Sequence, residues 1–301
     1  MAVLSIGFAG RTLRLLTLEP SGEVASAMTA ALSFDIGEES VFTKDADEYS
    51  AGFSELIKNF LRTEDASGLK AGVVIDPSSA FICVLPLDFS EPGTALESHI
   101  QWEISNFYPD SSRNFSKRYY RLGEPLFSGD IFDSLIVAID RRRIRFIKSL
   151  CLNSGIRLRN IEIDHFAAER CLTELYGRSV RGNYVILSSC SMSRVDTSVL
   201  RDGKLCHYDF DLTCGENPAS VLHRQITSAA QRLGANETLT EIFLYGDASG
   251  PVMSQGFSEI FDGIKLTHLD LFPAKSRDRN SKSDSSPFVP LFGLALKNLS
   301  S

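Results

Sequence analysis

Val3-Leu4-Ser5-Ile6-Gly7-Phe8-Ala9-Gly10-Arg11-Thr12-Leu13-Arg14-Leu15-Leu16-Thr17-Leu18 reads as two apolar runs broken at a glycine turn. The runs cover residues 3–8 and 13–18, and a third follows at 23–30 after Ser21-Gly22. Short apolar runs bounded by Gly and Ser predict three consecutive antiparallel strands. From Gly182 the pattern begins again, with runs at 184–187, 194–200 and 205–210 separated by Ser-rich and Asp202-Gly203 turns. A helix and a further strand follow each copy. In the first, Phe53, Leu56, Ile57, Phe60 and Leu61 recur at helical spacing within 47–61, and an apolar strand follows at 71–75. In the second, the spacing predicts a helix over 218–233 and a strand over 241–245. The copies share a pattern and no strong residue identity. A unit used twice predicts an α/β chain of two sheet-based lobes, and 301 residues is a length at which one core tends to give way to two.

Between the copies lies a compact α+β unit. It opens with a strand at 80–85 ending at Pro86 and a helix through Ile100, Trp102, Ile104 and Phe107 that stops at Pro109. Strands at 118–122 and 131–139 and a helix at 141–152 complete it, and a strand at 161–163 with a helix at 164–175 leads away. The resulting division is a first lobe at 1–81, an inserted subdomain at 82–158, a return helix at 159–181 and a second lobe at 182–301. The polar stretch 274–287 predicts an exposed, mobile loop, and the apolar run 290–297 a closing helix packed on the second lobe.

A net charge of −7 removes the broad attraction to phosphate on which most nucleic-acid binders depend. The densest basic patch is Arg141, Arg142, Arg143, Arg145 and Lys148, where a solvated helix face outweighs a phosphate or anionic-lipid contact. Six cysteines never fall in a C-x-x-C arrangement, and no histidine completes a zinc set. Free thiols within apolar runs predict a reducing, cytoplasmic compartment. No segment reaches the ~20 apolar residues that span a bilayer, so membrane association is expected only through a partner. Neither a G-x-S-x-G elbow nor a phosphate-binding glycine loop of the P-loop or dinucleotide type occurs. Asp164-His165 reads as a helix cap followed by a half-buried histidine rather than an acid–base pair. Trp102 and Tyr119-Tyr120 read as packing residues rather than a stacking platform, the alternative being that aromatic residues of this unit anchor a partner's tail in a groove.

Several local signatures resemble, in order, the PilM and competence-type pilus-assembly family of actin-like proteins. They are Val84-Leu85-Pro86-Leu87, then Trp102-Glu103 in a helix ending at Tyr108-Pro109, and Leu135-Ile136-Val137-Ala138. Ser154-Gly155-Ile156, Ile161-Glu162-Ile163-Asp164-His165-Phe166-Ala167 and Gly293-Leu294-Ala295-Leu296-Lys297 follow. The resemblance implies a two-lobed actin-like, ribonuclease H-like fold with a small inserted subdomain. It also implies a cytoplasmic scaffold at the inner membrane, whose groove between that subdomain and the first lobe holds the N-terminal tail of a bitopic, PilN-like protein. No nucleic acid is implied, and self-association is a further partner reading. The type II secretion protein GspL is similar, but a transmembrane helix is expected after its second lobe and this sequence ends at Ser301.

Nucleotide binding in this fold needs a carboxylate that organises Mg²⁺ and small residues that admit phosphate to backbone N–H groups. By resemblance, Phe8-Ala9-Gly10-Arg11-Thr12 stands where the family has Asp-Ile-Gly-Ser, with Phe8 at the acidic position. Ser189-Cys190-Ser191 matches the second hairpin, again without a carboxylate, and Gly246-Asp247 replaces the Gly-Gly of the adenosine turn. Gly10, Arg11, Thr12, Ser189, Ser191 and Gly246 are therefore vestigial nucleotide-site positions with no catalytic residue. No cofactor is required, ATP with Mg²⁺ being the disfavoured alternative, in which Asp247 or Asp196 would supply the missing charge to an ATPase or nucleotide switch.

Overall fold

The computed structural model describes residues 2–62, 68–110, 114–124, 129–177, 181–233, 238–254, 264–271 and 285–300. The chain forms two compact units, residues 1–167 with 294–301, and residues 168–293.

In the first unit β1 (Val3–Ala9), β2 (Thr12–Leu18) and β3 (Val24–Ala31) make an antiparallel meander. Gly10 turns the first hairpin at φ +57°, a conformation that favours glycine. After α1 (Glu39–Phe42) and α2 (Asp47–Leu61), β4 (Lys70–Ile75) joins β1 in parallel, giving with the later β8 (Arg157–Ile163) the order β3-β2-β1-β4-β8. The register sets Leu4, Ile6 and Phe8 opposite Ala71, Val73 and Ile75 on one face, and there Phe8 stacks on Phe53 of α2 at 6.0 Å between ring centroids. The alternate residues Ser5, Gly7 and Gly72 look the other way.

The inserted subdomain is a three-stranded antiparallel sheet, β5 (Phe81–Asp88), β7 (Ile131–Asp140) and β6 (Phe115–Arg121) in that order. On it α3 (Gly93–Phe107) buries Leu96, Ile100 and Ile104 against Phe81, Leu87, Phe115, Ile136 and Ala138. The expected strand end at Pro86 is not observed, since β5 runs on to Asp88. As an edge strand it has one side with no ladder to maintain, where a missing N–H costs nothing. Asp140 then caps α4 (Arg141–Asn153), its carboxylate accepting from the Arg142 N–H at 2.7 Å.

α5 (Asp164–Tyr176) leads into the second unit, where β9 (Tyr184–Cys190), β10 (Arg194–Arg201) and β11 (Lys204–Leu212) repeat the meander. α6 (Pro218–Arg232) starts on an Asn217 cap with proline in its first turn, and β12 (Leu239–Tyr245) returns parallel to β9. α7 (Ser249–Ser254) and β13 (Lys265–His268) complete the order β11-β10-β9-β12-β13, the topological copy of the first sheet. Ile186, Cys190, Val195, Val199, Ile242 and Leu244 pack on one face against Val221, Leu222 and Ile226 of α6.

The chain closes with α8 (Val289–Leu299). The sequence placed this helix on the second lobe, but from Leu294 onward it belongs to the first unit, with the Leu294 and Asn298 side chains directly over Gly72. Most of the polar stretch expected as a mobile loop lies outside the described residues. Its end is buried instead: Ser285 accepts from the Leu271 N–H at 2.8 Å and donates to Asp270, while Ser286 accepts from the Gly246 N–H.

Candidate functional site

The positions assigned to nucleotide binding collect at one end of each sheet. In the first unit the β1–β2 turn presents Gly10 and exposed Arg11, whose carbonyl accepts from the Leu32 N–H at 2.7 Å, while Thr12 pairs with Ala9 and Ala31. Phe8, which by resemblance stands at the acidic position, lies in the core on the α2 side. The residues facing the other way are Gly7 and Ala9, which also lack a carboxylate.

Two carboxylates from elsewhere stand beside this turn. Asp35 Oδ2 lies 3.5 Å from where a Cβ on Gly10 would sit, and the Asp76 N–H donates to the Phe8 carbonyl at 3.0 Å. Both are engaged locally: Asp35 accepts from the Gly37 N–H at 2.7 Å, and Asp76 accepts from the Ser78 N–H at 2.8 Å and its hydroxyl at 2.5 Å. Sequence reasoning missed them, although Asp35-Ile36-Gly37 carries the Asp-Ile-Gly string sought at Phe8. Among the described residues no group of three or more His, Cys, Asp or Glu is placed to hold a metal ion.

In the second unit the structure brings Ser189, Ser191 and Gly246 together. Ser189 pairs with Asp196 and Tyr245 in the sheet. The Ser191 N–H and hydroxyl both donate to the Arg194 carbonyl, at 3.0 and 2.9 Å, and its oxygen accepts from the Arg194 N–H at 3.0 Å. Gly246 presses on β9 so closely that a Cβ would meet Cys190 O at 2.6 Å, and its N–H donates to Ser286 Oγ at 2.9 Å. The Ser191 N–H and hydroxyl and the Gly246 N–H are thus spent on holding the turns. Asp196, one of the alternative charge suppliers, is buried and accepts from Arg194 Nε at 2.9 Å and from the Tyr208 hydroxyl at 2.5 Å. Its charge is committed to that pair. Asp247, the other, is exposed at the turn.

A Ser–His contact joins this turn to β13. The Ser249 hydroxyl donates to the Gly246 carbonyl at 2.6 Å and also lies 2.8 Å from His268 Nε2 and 3.2 Å from Ser286 Oγ, the direction at the histidine being set by its tautomer. His165, expected half-buried, is fully buried. All six cysteines are free, and burial pushes the thiols of Cys83, Cys151 and Cys190 up to about 12, which keeps them protonated.

Among the described residues, the large exposed aromatic side chains lie in the inserted subdomain. Trp102 is 60% exposed, Phe107 67% and Tyr120 54%, against the expectation that Trp102 and Tyr120 pack inside. Phe107 and Tyr108 end α3 in an aromatic cluster, with Phe81–Phe107 centroids at 5.3 Å and Tyr108–Phe115 at 4.9 Å. From Asp88 to Asp110 there are five carboxylates and no lysine or arginine, and one of the five, Glu97, pairs with Lys117 of β6 at 3.1 Å. Arg143 anchors the subdomain's last helix, donating from Nε to the Ile36 carbonyl at 3.0 Å, from Nη2 to that of Gly37 at 2.9 Å, and from Nη1 to that of Ser79.

No family profile and no curated protein sequence matches the chain. Solved structures do. A chain of a PilM–PilN type IV pilus biogenesis complex aligns over 99% of this chain and 98% of its own length, at TM-score 0.69 and 12% identity. The cytoplasmic domain of EpsL, an inner membrane component of the type II secretion system of Vibrio cholerae, aligns over 99% and 95%, at TM-score 0.53 and 10% identity. At such identities the likeness is one of fold: a mixed α/β, actin-like architecture with two five-stranded mixed sheets and a small antiparallel sheet.

Proposed function

We propose that this protein is a cytoplasmic component of a type IV pilus-like or related secretion assembly, that it holds the N-terminal tail of a PilN-like bitopic inner-membrane protein, and that it does so without ATP turnover. The observation that carries the proposal is the likeness to the PilM–PilN structure over nearly the whole of both chains, inserted subdomain included. The EpsL likeness extends the reading to related secretion systems. Among the described residues no helix is long and apolar enough to cross a membrane.

The chemistry of the subdomain suits such a tail. Cytoplasmic segments next to a membrane span are rich in Lys and Arg. Exposed Phe107 and Tyr108 offer apolar anchors, while Glu103, Asp110 and their neighbours offer the opposite charge. The turns assigned to nucleotide hold their own backbone groups, which supports a scaffold over a working ATPase.

Calorimetric titration of the full chain with synthetic cytoplasmic tails of candidate bitopic proteins tests the reading. A matching tail is expected to bind, and Phe107→Ala to weaken it about ten-fold or more, the scale of a buried aromatic anchor. Mg-ATP is expected to leave the melting temperature unchanged. Absence of binding by any tail, combined with Mg²⁺-dependent ATP hydrolysis, would sink the proposal.

A further inference from the structure

From Arg141 to Asn160 the sequence contains seven cations and no acidic residue, in a chain whose net charge is −7. The structure gives them different surroundings. Arg143 is buried among backbone carbonyls, and Arg142 pairs with Asp140 at 2.6 Å and Glu39 at 2.8 Å. Arg141, Arg145 and Lys148 are exposed, as are Arg157 and Arg159 in the edge strand that follows. Among the described residues none of these five makes an ion pair. Acids beside these elements are engaged elsewhere, Asp140 by Arg142, Glu162 by Lys297 and Asp47 by the Asn153 amide.

At 3.6 residues per turn, Arg141, Arg145, Lys148 and Leu152 fall within an arc of about 60° on α4. That arc is opposite Phe146, Ile147 and Leu150, which are buried. Leu152 is 74% exposed at the end of the stripe. Helix stability does not account for the arrangement. Three arginines occupy the first turn, where the helix dipole favours anions, and the last turn has no basic residue.

We propose that this face of α4 is a direct contact surface for an anionic lipid bilayer. Cations line up to meet headgroup phosphates, and the leucine at the end of the row enters the acyl boundary. Such an apolar tip distinguishes a bilayer from a nucleic acid, whose backbone offers it nothing. The acidity of the rest of the chain orients the basic face toward a negative surface. This contact is separate from capture of a tail and needs no partner.

Flotation of the purified full chain with phosphatidylcholine vesicles, with and without phosphatidylglycerol, tests it. The chain is expected to float with anionic vesicles at low salt, to be released at high salt, and to ignore phosphatidylcholine alone. Each cation near the surface contributes about five-fold to partitioning, so Arg145→Glu with Lys148→Glu is expected to weaken binding by about twenty-five-fold or more. Leu152→Ser is expected to weaken it as well. All three side chains are exposed, so unchanged melting curves check that the variants fold. Failure to bind anionic vesicles at low salt, retention by the double variant, indifference to Leu152→Ser, or equally tight binding of duplex DNA would each overturn the proposal.

Discussion

Gly246 meets two demands at once. Its φ of +103° lies where side chains are rarely tolerated, and an added Cβ would stand 2.6 Å from the Cys190 carbonyl oxygen, a backbone atom that cannot swing aside. Gly246→Ala is expected to cost about 2–4 kcal/mol, read as a lower urea midpoint at unchanged slope. An unchanged midpoint would mean that the turn is not pressed against β9. Glu169 makes a different kind of prediction. Burial raises its carboxyl from an ordinary value near 4.5 to about 7, with the Ser198 hydroxyl, 2.5 Å away, opposing the shift. The native state therefore holds this proton more tightly than the unfolded chain. Its contribution to stability is complete below about pH 4.5 and is lost as pH rises through 7. Glu169→Gln is expected to stabilise the protein at pH 8 by on the order of 1–3 kcal/mol and to make little difference at pH 4.5, measured by denaturant unfolding at both. Equal effects at the two values would refute the assignment. Phe8 marks the limit of reading residues from sequence. By resemblance it stands at the acidic position of a motif, while pleat parity turns it toward α2, and the carboxylates beside the β1–β2 turn come from Asp35 and Asp76, further along the chain.

Arg141, Arg142 and Arg143 are one letter repeated in sequence and three roles in a helix. Each step rotates the side chain by about 100°, which leaves Arg141 in water, Arg142 on Asp140 and Glu39, and Arg143 buried across three carbonyls. Arg143→Met leaves those carbonyls without donors and is expected to cost about 2–4 kcal/mol, whereas Arg142→Ala removes a partly exposed pair and is expected to cost about 1 kcal/mol or less. Parallel urea titrations of the two variants check this, and comparable losses would show that Arg143 is not the anchor. Arg143→Lys is not expected to rescue, because an ammonium cannot span carbonyls that a planar guanidinium reaches at once. Elements with a strong period were legible in advance. α2 runs over 47–61 as its apolar spacing predicts, and the strands of both meanders sit within a few residues of expectation. The misses have local causes. Pro86 looked like a strand end because proline lacks a ladder donor, but β5 lies at an edge. The first half of β8 was passed over because Arg157 and Arg159 alternate into solvent and give no apolar run.

On the scale of the whole molecule, the duplication was legible because each sheet is built from a meander and a parallel return, and both leave a pattern of runs and turns in the sequence. The path of the chain was not legible in the same way. An apolar helix at the end of a sequence is assigned to whichever core comes last, and pattern alone does not say which sheet it covers. The determinant is Gly72, a residue without a side chain in the middle of the first sheet, where a Cβ would stand 2.5 Å from Asn298 Nδ2 and 2.7 Å from Leu294 Cδ2. The end of α8 settles over Gly72, and Lys297 adds an ion pair with Glu162 of β8. Residues nearly three hundred positions from β1 thus complete the unit that β1 begins. Deleting residues 294–301 is expected to raise amide exchange in β1 and β4 of the first unit, with β9, β10 and β12 losing less protection. Hydrogen exchange read by mass spectrometry separates the outcomes, because peptides from the two sheets do not overlap in sequence. Greater deprotection of the second sheet than of the first would return α8 to the lobe on which the sequence alone had placed it. Gly72→Val probes the same contact without shortening the chain: it adds bulk under Leu294 and Asn298, and is expected to cost about 1–3 kcal/mol with the same exchange pattern, confined to the first unit.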